Sequence, residues 1–454
     1  MRNGKSFLLL LVVAAGLGYY AYFVEPTKET TREAKIKREK LFTVDSDKID
    51  KLTVKSANGD VTKLAKTGDT WKIVEPQALA VDPAEVSAIT TALAGLEKER
   101  VVEENPPSLK EFTLDPPRIS ITFHAAGDSA THRVDVGVKT PMGAELYAKV
   151  EGQPAVFLIG SYREDALNKS LFNLRDKTVL TFDRESANAL KIDDGKKPIV
   201  IAKKDNQWRL TTPIEAAADF TAVDGFVGRL YQSRMKSYVT DDGTKDLKKY
   251  GLDKPAYTIQ VGAGSAKAEL AIGGKAEDGN IYARDLSRPA VFTLEATLLD
   301  DLKRSAADYR QKDLLDFRAF TALSLDVTYK GATYSFARQG DTGDGQTGTW
   351  KQTKPETKDV DASKISTLLS NLSTLRGDTF VDTMGAGDEV VITAKFGQNA
   401  APKTETVTLH VIAKGKDGKP TVHAQRKGEK DALVLLALDV DKAMALFKEL
   451  TGAK

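Results

Sequence analysis

Cysteine is missing from the 454-residue chain, and histidine occurs only four times. The first absence excludes disulfides, thiolate metal sites, cysteine nucleophiles and a lipid-modified N-terminal cysteine. The second leaves little for zinc chemistry. His124, His132, His410 and His423 form no pair at metal-ligand spacing, and no His-Glu-x-x-His is present. His124 and His132 flank a turn; solvated strand histidines explain them better than a metal or acid–base pair. No charge sign dominates either. The 66 basic and 64 acidic residues leave a net charge of +2, which argues against a nucleic-acid partner. A Gly-x-Ser-x-Gly elbow is absent, and Gly262-Ala-Gly-Ser265 and Gly273-Gly274 lack the strand-to-helix context of a phosphate loop. Asp341–Gly348 resembles a calcium loop only superficially. Alternate acidic ligands are missing, and Gln352 stands where a bidentate glutamate is needed, so turn chemistry accounts for it. Carboxylates are abundant but show no spacing that singles out a hydrolytic pair. No catalytic, cofactor or metal residue is assigned, and the expectation is a non-enzyme without cofactor.

Long apolar runs are also absent, with one exception. Arg2 and Lys5 precede an uncharged stretch from Ser6 to Val24, closed by Tyr19, Tyr20, Tyr22 and Phe23. Its length suits one membrane-spanning helix, and the aromatic end suits the headgroup region. A cleaved signal peptide is the rival reading, supported by Ala14-Ala15-Gly16 but opposed by the apolar residues that continue past it. Residues 1–26 are therefore expected to anchor the chain. Residues 27–40, mixing Glu29, Arg32, Glu33 and Lys37, read as a charged helical stalk. Basic residues on both sides of the span leave orientation ambiguous. Because long domains translocate largely regardless of charge, an extracytoplasmic body on a single-pass inner-membrane anchor is favoured over a cytoplasmic one.

What the chain does contain is a repeat. Its three tryptophans, Trp71, Trp208 and Trp350, are each followed five residues on by a proline (Pro76, Pro213, Pro355) and six further by an aspartate (Asp82, Asp219, Asp361). Such self-similarity marks one unit written three times. After each aspartate, apolar residues recur at helical spacing: Val86, Ile89 and Leu93; Val223, Phe226 and Leu230; Ile365, Leu368 and Leu372. Aspartate is a good N-cap because its carboxylate accepts from first-turn amides, and Pro83 suits the first helical position. Short alternating runs precede each tryptophan, with Asn58-Gly59 as a hairpin signal. Further strands follow each helix, beginning near Val101-Val102, Tyr238-Val239 and Phe380-Val381. The first two copies share more: Leu114-Asp-Pro-Pro117 and Leu252-Asp-Lys-Pro255, Gly137 and Gly273, Tyr147-Ala148 and Tyr282-Ala283, and Pro-Ala-Val-Phe at 154–157 and 289–292. Repeated junctions (Arg175-Asp-Lys177, Arg310-Gln-Lys312) place the modules at 41–178, 179–312 and 313–454, the last divergent and ending in a helix, Val440–Leu450. The expected class is α+β: three tandem strand-rich repeats, each with one main amphipathic helix packed on an antiparallel sheet. The tryptophans read as strand-closing core residues rather than stacking platforms.

These motifs resemble a bacterial family, domain of unknown function 4340 (DUF4340). The resemblance rests on the N-terminal span, Leu41-Phe42 before Asp45, Trp71…Pro76…Asp82, Leu114-Asp-Pro-Pro117, Tyr147-Ala148, Arg175-Asp176, and Tyr250-Gly-Leu-Asp-Lys-Pro255 in the second copy. It carries no established activity. The resemblance implies, by analogy, an envelope accessory protein with a protein partner, because members of that family are often encoded beside ABC-transporter components similar to those of gliding-motility systems. The expectation is a membrane-anchored scaffold or binding protein of the cell envelope. The alternatives are a glycan- or peptidoglycan-binding module and a hydrolase with a site between modules.

Overall fold

The computed structural model describes residues 40–243, 245–340, 348–398, 401–412 and 420–453. Two compact units are present, the first ending at Lys177 and the second spanning Thr178–Lys454. Three nine-stranded sheets are built, one in the first unit and two in the second.

In the first repeat, β1 (Ile49–Lys55), β2 (Val61–Thr67), β3 (Thr70–Glu75) and β4 (Leu79–Ala80) form a meander. Helix α1 (Pro83–Ala94) then carries the chain to β5 (Arg100–Glu103). A second meander, β6 (Ile119–Ala125), β7 (Thr131–Lys139), β8 (Glu145–Val150) and β9 (Val156–Gly160), starts beside β1 and ends beside β5. The order is β4-β3-β2-β1-β6-β7-β8-β9-β5, with antiparallel neighbours. Short helices α2 (Glu164–Leu167) and α3 (Leu171–Leu174) close the unit.

The second repeat has β10 (Ala187–Asp193), β11 (Ile199–Lys204), β12 (Gln207–Thr212), β13 (Ala216–Ala217), α4 (Phe220–Gln232), β14 (Ser237–Thr240), β15 (Tyr257–Ala263), β16 (Ala266–Lys275), β17 (Ile281–Asp285), β18 (Val291–Leu294) and α5 (Leu298–Leu302). The third has β19 (Ala322–Tyr329), β20 (Ala332–Gln339), β21 (Thr349–Lys354), β22 (Lys358–Asp359), α6 (Ala362–Ser373), β23 (Gly377–Val381), β24 (Asp388–Phe396), β25 (Lys403–Ile412), β26 (Thr421–Arg426), β27 (Ala432–Leu436) and α7 (Ala437–Thr451). Both sheets repeat the strand order of the first. The α+β class and the three repeats expected from the sequence are therefore present.

Each aspartate of the repeated motif caps its helix. Asp82 accepts from the Ala84 amide at 3.1 Å, Asp219 from Ala222 at 2.9 Å, and Asp361 from Ser363 and Lys364 at 2.9 and 3.0 Å. The predicted apolar stripes of α1, α4 and α6 are all buried against their sheets. Each repeated proline follows a cis peptide bond. The tryptophans point to the helix-covered side: Trp208 is buried, while Trp71 and Trp350 are half-buried and pack on their cores. Each lies opposite a basic residue on the neighbouring strand, Lys66, Lys203 or Arg338. Lys203 places its ammonium 4.9 Å from the Trp208 ring centre.

The motifs shared by the first two repeats build a second, smaller core on the opposite face of each sheet. In the first, Phe112, Leu114 and Val156 cluster with Tyr147; in the second, Tyr250, Leu252 and Val291 cluster with Tyr282. The ring pairs Phe112–Tyr147 and Tyr250–Tyr282 both stand 5.0 Å apart. A short 3-10 turn (Lys110–Phe112, Leu247–Tyr250) lies flat on the sheet to make this possible. Gly137 and Gly273 permit the approach, because a β-carbon there would sit 1.9 Å from the Phe112 carbonyl oxygen and 2.2 Å from that of Tyr250. Thus Tyr147 and Tyr282 face the small core while Ala148 and Ala283 face the large one, as strand alternation requires.

Among the described residues no helix is long and apolar enough to cross a membrane. The expected anchor, residues 1–26, and the stalk up to residue 39 lie outside the described residues, as does 341–347 of the calcium-loop lookalike. Gln352, next to that loop, is buried and donates to the Glu356 carbonyl at 3.5 Å.

Candidate functional site: a polar cleft between the second and third repeats

Within the second unit, the junction segment after α5 is held by buried charge. Arg310, 3% exposed, pairs with Asp431 at 2.6 Å and lies 3.4 Å above the Phe380 ring. Arg426, at the end of β26, donates to the carbonyls of Leu314 (3.2 Å), Gln311 (2.8 Å) and Asp313. Glu429, in the following turn, accepts from Arg426 at 3.1 Å and from the Ala217 amide at 3.2 Å. The chain closes the edge of β13 itself: Gln311 donates to the Ala217 carbonyl, and Asp219 to that of Tyr309. A parallel clamp operates at the start of this unit, where Arg288 donates to the carbonyls of Thr178 and Val179 at 2.5 and 2.8 Å. These are charge-assisted bonds to backbone, which fix position as well as add energy.

Beside this junction lies a cleft of about 1420 Å³. Its walls come from β12, the N-terminal turn of α4, the 311–318 segment, the start of β25 and the turn after β26. The charges lining it differ in how they are used. Asp219 caps α4 and stands 3.5 Å from Arg376; Asp313 pairs with Arg376 at 2.6 Å; Asp308 closes a capping box with Ser305; Glu429 holds Arg426. The Ser305 hydroxyl keeps the Asp308 carboxyl below its ordinary range. Glu405 accepts from the Asp316 amide at 2.8 Å, and burial pushes its carboxyl up. By contrast Arg209, Lys312, Arg318, Lys403 and Lys427 make no side-chain hydrogen bond or ion pair among the described residues. The carboxylates are mostly committed to structure, whereas much of the positive charge is open.

None of the four histidines lines this cleft. His124 and His132 do not meet across their hairpin: His132 stands opposite Phe123 and His124 opposite Thr131, which puts the two rings on opposite faces of the sheet. Both approach Asp128, the Nε2 of His124 at its carbonyl (3.0 Å) and that of His132 at its carboxylate (2.7 Å). They are half-buried and engaged rather than simply solvated. His124 also meets Asp50 at 2.6 Å, a bond that raises its pKa. His410 and His423 stand directly opposite each other on β25 and β26, a pairing their sequence separation conceals. Among the described residues no group of three or more histidine, aspartate or glutamate side chains is placed to hold a metal ion.

No spacing rule in the sequence marks the five open cations. Only Lys312 belonged to a recognised motif, the repeated Arg-x-Lys junction. The others are solitary basic residues on strands and turns, indistinguishable by spacing from solvated ones.

Comparison with curated proteins finds no match. A family model matches twice, over residues 71–209 and 208–400. The two matches begin at Trp71 and Trp208; the first ends just past Trp208, and the second runs on beyond Trp350 to residue 400. By this double match the chain belongs to the family described as Domain of unknown function (DUF4340).

Proposed function

We propose that the chain is a non-enzymatic scaffold or binding protein of the bacterial envelope, anchored by its N-terminal segment in the inner membrane with the body outside the cytoplasm. Its task is to dock onto a membrane complex of the kind built around an ABC transporter. The observation that carries this reading is the division of labour in the cleft. Four of its carboxylates cap a helix, close a turn or neutralise an arginine, while its unpaired cations face open space. Catalytic acids need a free approach to substrate; these are occupied by backbone amides and guanidinium groups. The apolar stretch Ser6–Val24 supports the anchor. A glycan platform draws less support, since none of the three indoles is exposed and each packs on its own core.

Crosslinking in intact membranes followed by pull-down of the full chain tests the reading. A transporter subunit is the expected partner, and recovery of the chain alone would count against docking.

A further inference from the structure

Resting on that docking reading, the cleft between the second and third repeats also has features that specify what it receives. Its volume of about 1420 Å³ exceeds the ~300–1,000 Å³ usual for small-molecule pockets. Small-ligand sites are mostly apolar with a few placed polar groups, whereas this cleft is lined mainly by polar and charged side chains. Both facts point to an extended polar occupant.

The charge pattern narrows the chemistry. Arg209, Lys312, Arg318, Lys403 and Lys427 come from separate segments, and their cationic groups make no hydrogen bond or ion pair among the described residues, Lys312 and Lys403 acting only at longer range on Asp308 and Glu405. Arg318, Lys403 and Lys427 are exposed, so binding need not first break an existing ion pair. Guanidinium and ammonium groups in this state favour carboxylate or phosphate. A uniformly charged polyanion fits poorly, because Asp308, Asp316 and Glu405 line the same space and would repel it. A chain with separated negative charges can place them at the cations and neutral residues beside the acids. Phe220, 65% exposed at the rim although it begins α4, adds an apolar contact of the kind a peptide side chain supplies. The junction network of Arg310, Arg426 and Glu429 holds the walls in place, which limits the ordering cost of binding.

We propose that this cleft receives an acidic polypeptide segment of the partner, its spaced carboxylates held by Arg209, Lys312, Arg318, Lys403 and Lys427. The test titrates the full-length chain in detergent with a fluorescein-labelled peptide alternating glutamate with glycine and phenylalanine, read by anisotropy. The expected result is saturable binding that weakens with added salt and weakens roughly tenfold or more in K403E/K427E. The neutral K403Q/K427Q and the single R318Q should fall between this and wild type. Unchanged circular dichroism confirms that the variants fold; R318Q, an exposed single change, serves should the double swap not. The proposal is overturned if the charge swap binds as well as wild type, if a glutamine-for-glutamate peptide binds equally, or if inorganic polyphosphate binds more tightly than the peptide. Failure of docking is a separate result. If membrane crosslinking captures the same subunit with wild type and K403E/K427E, docking stands and the cleft assignment falls.

Discussion

Replacing Gly137 by alanine should detach or strain the small core of the first repeat. The added β-carbon would lie 1.9 Å from the Phe112 carbonyl oxygen, and ordinary contact begins at 3.4 Å, so the turn has to retreat by about 1.5 Å. Two routes are open. If the turn stays and the sheet yields, overpacking costs about 1–3 kcal/mol. If the turn lifts, Phe112 and Leu114 lose burial against Val156 and Tyr147, at about 1.5–3 kcal/mol each. The chain takes the cheaper route, so a loss of about 1–3 kcal/mol is expected. Because each repeat has one tryptophan, a chain keeping only Trp71 (W208F, W350F) reports the first repeat by fluorescence during urea unfolding. Gly273→Ala should act in the same way on the second repeat, read through Trp208, since its β-carbon would sit 2.2 Å from the Tyr250 oxygen. Gly225→Ala is the control. Nothing lies within 4 Å of its β-carbon in α4, so helix propensity alone should stabilise by up to ~1 kcal/mol. A Gly137→Ala chain within about 0.5 kcal/mol of its parent would refute the close-packed turn.

Glu429→Ala should destabilise the second unit by about 1.5–3 kcal/mol, because it removes the carboxylate, 8% exposed, that Arg426 bonds and leaves the Ala217 amide unpaired, while Arg426 keeps its three carbonyl acceptors. Urea unfolding read through Trp208 and Trp350 measures it, and a change under about 1 kcal/mol would contradict the role given to this network. His124 gives a pH dependence of definite sign. Its pKa is raised first by the hydrogen bond to Asp50, so the native state holds the proton more tightly than the unfolded chain. That stabilisation is complete below the ordinary value of 6.5 and fades as pH rises through the raised one. The gap between wild type and Asp50→Asn should therefore be larger at about pH 5.5 than at about pH 8.5, and a gap independent of pH would remove the assignment.

Local order in this chain was legible where one segment carries its own pattern. Asp82, Asp219 and Asp361 announce helix starts because capping involves only the next few residues, and the stripes of α1, α4 and α6 follow from helical period alone. The purpose of Gly137, Tyr147 and Pro-Ala-Val-Phe was not legible, although their repetition was. They meet Phe112 and Leu114 only after β7, β8 and β9 have folded side by side. The cleft was hidden more thoroughly. Arg209, Arg318, Lys403 and Lys427 come from different strands and turns of two repeats, and no spacing rule unites them. Their common property, cationic groups free of hydrogen bonds and ion pairs among the described residues, belongs to the folded molecule.

Site-specific photocrosslinking in native membranes tests the central claim most directly. A photoreactive residue at Lys403, inside the cleft, is compared with one at Lys149, on β8 of the first repeat. The account predicts one discrete protein adduct at position 403, lost when Lys427 and Arg318 are changed to glutamate, and no such adduct at position 149. The same adduct at both positions, or an adduct at 403 that survives the charge changes, would contradict it.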